Sequence, residues 1–268
     1  MNFSLVNNSR ANQFFRKISM KDVLSLKKST QEYSDCYLIS SLNALTNSQN
    51  GRNLLRRNIR FAQHKEYLQW LKDGIDVTTF KVIFNSVNKN KESFIISPKD
   101  INSHYNVFFK QKNKIVFAIK MAMKKLINKY PDKKPWYCRV FKPFNQKFEY
   151  NKPSNFLKMF TGVEPINIAE NDINLNLKKY KSQVLKLLEK MGKDKDNNYS
   201  FVIGTGFMAP KNIAFWHCLS INKVDIENKL VYLQNKRANA TMIFTFDEII
   251  KKFKFIVGYF NENLKKQP

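Results

Sequence analysis

The sequence predicts an α+β fold of two lobes, the first rich in helix and the second rich in strand. Two observations carry that prediction. An apolar content of 43%, with 14% aromatic, over 268 residues belongs to a globular chain with ample length for a core. Before Gly162 the apolar residues recur mostly at helical spacing, whereas after it most of them alternate. This change of texture divides the chain into a polar N-terminal segment (1–27), a helix-rich lobe (28–163) and a β-rich lobe (164–268).

The opening MNFSLVNNSRANQFFRK is polar, rich in Ser and Asn and without a period, which reads as a tail or a loosely docked segment. Leu38, Leu42 and Leu45 then recur at helical spacing, with Asp35 where an N-cap or first-turn acid belongs. TTFKVIFNSVNKNKESFIIS reads as two strands around a polar turn, from the alternation of Phe80, Val82 and Phe84. KIVFAIKMAMKKLINKY is the strongest helix, with Val116, Ile119, Met123 and Leu126 on one face and lysines on the other. PSNFLKMFTG is a short helix closed by Gly162.

In the second lobe YKSQVLKLLEKMG is a helix, KDKDNN a polar stretch and YSFVIGTGF a strand ending in glycines. HCLSINKVDIENKLVYLQN is a hairpin that turns near Glu227 to Lys229. TFDEIIKKF opens on Thr-x-x-Glu, the signature of a capping box, and KFIVGYF is a final strand. The chain has no internal repeat.

Composition narrows the function classes. No early stretch joins a basic head, an apolar run and a small-residue cleavage site, so the sequence predicts no secretory signal peptide. No apolar run is long enough for a membrane span. Three cysteines without a Cys-x-x-Cys pair argue against a disulfide framework or a structural zinc site. The formal charge of +26 invites a polyanion partner, but the basic residues are spread along the chain rather than gathered in one arm or face. Nucleic acid is therefore not the expected partner. An acidic membrane surface or an acidic protein fits the charge equally well.

The chemistry-bearing stretch is TQEYSDCYLISSLNALTNS, in which Cys36 stands at the start of a helix. Two readings are open there. Cys36 is a small core residue, or it is a nucleophile whose thiolate is favoured by the helix N-terminus. Of the three histidines, His64 lies among charged residues, His104 in a loop or strand edge, and His217 opens a strand. Asn235 ends the returning strand of the same hairpin and shares a face with Val231 and Leu233. The hairpin thus brings an amide toward the His217 ring. Thiol catalysis needs a thiolate, an imidazole that exchanges protons and an amide that orients the imidazole. Cys138 and Cys218 read as structural, Cys218 pointing away from His217 by strand alternation.

At these residues the sequence resembles the calpain-type cysteine proteases of the papain-like superfamily. QEYSDCYLISSL is similar to their Gln and Gly-Asp-Cys-Trp motif at Gln31, Asp35, Cys36 and Tyr37, HCLSI to their histidine strand, and YLQN to their asparagine strand. FLKMFTGVEP is similar to the stretch joining the two lobes, SFVIGTGF to the strand before the histidine, and MIFTFDEIIKKFKFIVGYF to the closing helix and strand. The likeness runs in the right order from Gln31 to Phe260. It implies a papain-like two-lobe fold, with Cys36, His217 and Asn235 as catalytic triad, Gln31 as oxyanion-hole donor and a protein as substrate.

The departures from the pattern are specific. Gln31 stands one residue closer to the cysteine than the family's glutamine, which matters because an oxyanion donor must lie about 2.7–3.1 Å from the developing charge. Ser34 replaces a glycine and Tyr37 a tryptophan. Lys236 follows Asn235 where the family has Pro-Trp, so another side chain must shield the His–Asn contact. Calpain lobes bind calcium, but DKDNN (Asp194 to Asn198) lacks the central glycine and distal glutamate of a calcium loop and reads as a polar turn. No metal ligand and no cofactor is carried over. The same residues would also serve a deamidase or transglutaminase acting on a protein glutamine, and a degenerate lobe would serve as a non-catalytic basic binding protein. The Ser/Asn-rich start suits a bacterial effector, cytoplasmic or secreted into a host cell.

Overall fold

The computed structural model describes residues 16–28, 36–63, 78–87, 90–97, 100, 113–129, 152–172, 176–206, 209–210, 213–214 and 217–265. It is an α+β fold with two antiparallel sheets. The first sheet has the order β1 (Arg16–Lys17), β2 (Ile59–Gln63), β3 (Thr78–Val87), β4 (Asn90–Ile96). The second has the order β5 (Ile166–Ile168), β10 (Phe253–Phe260), β6 (Tyr199–Thr205), β7 (Cys218–Asp225), β8 (Leu230–Asn235), β9 (Ala240–Thr245).

The stretch read as a polar tail is docked from Arg16 onward. Arg16 and Lys17 pair with Phe61 and Arg60, and α1 (Met20–Ser25) follows behind a Ser19–Asp22 capping box. Ile18, Val23 and Leu26 are buried in the core, and three apolar anchors suffice to hold an otherwise polar segment.

The helix expected over Tyr37 to Leu45 is α2 (Cys36–Asn47), buried on nearly every side. It leads into α3 (Gln49–Asn58), which Ser48 caps by accepting from Gly51 N at 3.0 Å. The strongest predicted helix is α4 (Lys114–Lys129), packed on β3 and β4. Its lysines do not all face solvent: Lys120 is buried together with residues 115–119 and 121–123, while Lys125 reaches Asp100 and Lys129 reaches Glu92. A helix covered on two sides loses the polar face that periodicity alone implies.

The linker between the two sheets is pinned. Helix α5 (Pro153–Thr161) stops at Gly162, whose φ of 81° is the left-handed conformation that glycine adopts without penalty. Tyr259 Oη then donates to the Val163 carbonyl at 2.7 Å and meets Thr161 Oγ1 at 2.9 Å.

In the second lobe α6 (Lys181–Lys193) and α7 (Phe246–Lys252) cover one face of the six-stranded sheet. The Thr245–Glu248 capping box opens α7 as its sequence anticipates, and a short α8 (Asn261–Lys265) follows β10. The other face, with Val202, Cys218, Phe255, Val257 and Tyr259, joins one core with α2, α4 and α5. Strands of both sheets therefore share one core with α2, and that packing fixes where Cys36 sits. Among the described residues, no helix is long and apolar enough to cross a membrane.

Candidate active site

Cys36 is the first residue of α2, where aligned peptide dipoles favour a negative charge. The helix is held along β7 by polar contacts as well as apolar ones. Asn43 Nδ2 donates to Ser220 Oγ, Asn47 Nδ2 donates to the Ile221 carbonyl at 3.1 Å, and Ser48 Oγ meets Ser200 Oγ at 2.9 Å. These bonds set α2 in one register along the strand, with its N-terminus at the start of β7. There Cys36 meets His217 and Cys218.

His217 is gripped by its backbone. Its N–H donates to Thr205 Oγ1 at 2.9 Å, and its carbonyl accepts from Thr205 N at 2.9 Å. Thr205 Oγ1 donates in turn to the Ala214 carbonyl at 2.9 Å. The neighbouring Gly204 pairs with Cys218, and a Cβ on it would lie 2.1 Å from the Phe255 ring. Glycine at this position leaves the room that the Phe255 ring occupies.

Asn235 lies at the end of β8, 4% exposed, with Val231 and Leu233 buried on the same face as the alternation anticipates. Its Oδ1 accepts from Arg237 N at 3.0 Å and Ala238 N at 3.3 Å. Those two backbone donors fix which end of the amide is oxygen. The same oxygen lies 3.3 Å from His217 Nε2, so Nε2 carries the proton and donates to it. With Nε2 engaged, Nδ1 is the ring nitrogen left for the Cys36 sulfur. The amide nitrogen donates to Met242 Sδ at 3.7 Å.

The electrostatics follow from these contacts. The Cys36 thiol is pulled down to about 5, first by its hydrogen bond with Cys218 and then by the hydrogen bond and positive charge of His217, while burial works against them. Cys218 is pushed well above the usual thiol range by that hydrogen bond, by burial and by the negative charges of Cys36 and Glu170. At neutral pH the sulfur of Cys36 is therefore the anion of the pair.

Thus Cys36, His217 and Asn235 come together, and each is buried or nearly so, Cys36 being 9% exposed. Gln31, Ser34, Asp35, His64, His104 and Cys138 lie outside the described residues. Asn239 sits in the exposed turn after β8, Asn228 bonds Asp225, and Asn222 bonds Gln234. Asp194 closes the polar turn by accepting from Asn198 N at 3.1 Å. Among the described residues, no group of three or more His, Cys, Asp or Glu side chains is arranged to hold a metal ion.

Sequence reasoning missed four contributors: Cys218, Thr205, Met242 and Lys236. Cys218 does face away from His217, but the face it occupies is the one that α2 covers. Lys236 is 7% exposed and donates from Nζ to the Lys27 carbonyl, tying the end of β8 to the segment that leads toward Cys36. Burial, and next the charge of Lys27, lower its pKa. The Asn-Lys-Arg-Ala sequence did carry a signal for the Asn235 turn, because Asn side chains favour bonding to backbone N–H groups two or three residues on. Comparison of the sequence with protein-family models and with curated proteins gives no match.

Proposed function

We propose that the chain is a papain-like, calpain-type cysteine endopeptidase core acting on protein substrates. One observation carries this reading: the Asn235 oxygen, oriented by two backbone donors, accepts a hydrogen bond from His217 Nε2–H and leaves Nδ1 for a thiol at a helix start. A binding scaffold has no use for that arrangement.

The chemistry follows. The Cys36 proton passes to His217 Nδ1, giving a thiolate beside an imidazolium. The thiolate attacks a peptide carbonyl, and the backbone N–H of Cys36, with Gln31, donates to the oxyanion. His217 then gives its proton to the leaving amine as the C–N bond breaks, and a thioester remains on Cys36. Water, deprotonated by His217, attacks the thioester, and the thiol is regenerated as the carboxylic acid leaves. Asn235 keeps the ring plane aligned through both halves and never holds the proton in flight.

Labelling with a peptidyl epoxide, an electrophile that reacts with thiolates in a substrate-like pose, tests the reading. It predicts a single adduct on Cys36 that is lost in His217→Ala. Labelling spread equally over Cys36, Cys138 and Cys218 in the folded protein would overturn it.

A further inference from the structure

The contact between two buried thiols is absorbed by none of the steps above. Cys36 comes from the first turn of α2 and Cys218 from the first position of β7, and both lie in the core cluster that the lobes share. Their approach is fixed by the bonds that lock α2 on β7, since Ser220, two positions along the strand on the same face as Cys218, receives Asn43. Among the described residues both cysteines are free thiols.

We infer that Cys218 is a positioning residue for the nucleophile: its S–H donates to the Cys36 sulfur and stabilises it as the thiolate. The inference rests on Cys36 being the nucleophile. The direction of donation follows from what faces each sulfur. Cys36 has the helix N-terminus and the His217 ring beside it, and both favour an anion there. Cys218 is buried on the sheet, where its bond to Cys36, burial and the negative charge of Cys36 keep the proton on it. Glu170, whose own carboxyl pKa is raised by burial, makes a smaller contribution. Glu170 itself is held by Ser154 N at 3.1 Å and by Ser154 Oγ, at the N-terminus of α5. Among the described residues, His217 and Glu170 are the ionisable side chains that act on the two thiols. A second cysteine beside a nucleophilic one lowers its pKa in Cys-x-x-Cys pairs by the same means.

The pH dependence of iodoacetamide alkylation at Cys36, followed by peptide mass spectrometry, tests this, because the thiolate is the reacting form. Wild type should show a midpoint near 5. Cys218→Ala should move it up by about one unit or more, so that at pH values below both midpoints Cys36 reacts about tenfold more slowly. Cys218→Ser should recover most of the loss, since a hydroxyl donates in place of the thiol; a merely structural role for Cys218 predicts no such recovery. A midpoint unchanged in Cys218→Ala overturns the inference while leaving the peptidase reading intact. A wild-type midpoint at an ordinary thiol value of about 8.5 overturns the peptidase reading itself. Should neither variant fold, oxidation of the wild type with diamide decides the matter. Diamide accepts two electrons and two protons from a dithiol as the S–S bond forms. A Cys36–Cys218 disulfide supports the contact, and its absence overturns the inference.

Discussion

The two faces of the six-stranded sheet are built differently. One face buries Ile203, Leu219, Ile221, Leu233 and Ile256 against α6 and α7. The opposite face receives α2 through Asn43–Ser220, Asn47–Ile221 and Ser48–Ser200. Apolar burial is strong but non-directional, so it tolerates sliding. Buried hydrogen bonds are directional, and leaving one unmade costs about 1–3 kcal/mol. A slide of α2 by one turn would displace Cys36 by about 5.4 Å relative to His217. Apolar burial thus supplies cohesion on both faces, and the hydrogen bonds on the α2 face add the register that chemistry needs.

The largest expected effect breaks the site without touching either face. His217→Ala should lower single-turnover cleavage by about 10²–10⁴-fold, the span of general acid–base catalysis. Asn235→Ala should lose less, and the losses will not add, because the two act as a unit. His64→Ala and His104→Ala should leave cleavage nearly intact. Full activity of folded His217→Ala would end the account.

Next comes the apolar face. Leu219 is fully buried, and Leu219→Ala should cost about 2–5 kcal/mol in urea unfolding. Labelling of Cys36 per folded molecule should not change. On the polar face, Asn43→Ala should cost less, about 1–3 kcal/mol, yet slow Cys36 labelling. If both variants slow labelling equally, the division between the faces fails. The smallest effect is expected at a distance from both: Thr245→Ala removes the α7 cap, costs about 1 kcal/mol and leaves labelling as in wild type.

Much of this was legible because it is local. The β7–β8 hairpin, with its turn at residues 226–229 and its in-facing Val231, Leu233 and Asn235, follows from alternation and turn chemistry alone. So do the capping box of α7 and the Gly162 stop. The short strands β1, β2, β5 and β9 were not legible, since two to six residues leave no period and depend on a partner strand. Helix α3 carries Gly51, three asparagines and only Leu54 and Leu55 as an apolar pair. It owes its place to the Ser48 cap and to Asn50, which bonds Asn261. Cys218 shows the limit most clearly. Alternation gives the face on which it lies, but only the packing of α2, fixed by residues more than 170 positions away in sequence, says what it meets there.

The central claim is that Cys36 and His217 form a peptide-cleaving pair. Its most direct test is a survey of new protein N-termini after incubating an unfractionated proteome with the wild-type protein, with Cys36→Ala and with His217→Ala. New N-termini produced by the wild type and absent with both variants are the predicted result. The same N-termini with Cys36→Ala, or none with the wild type, would contradict the claim.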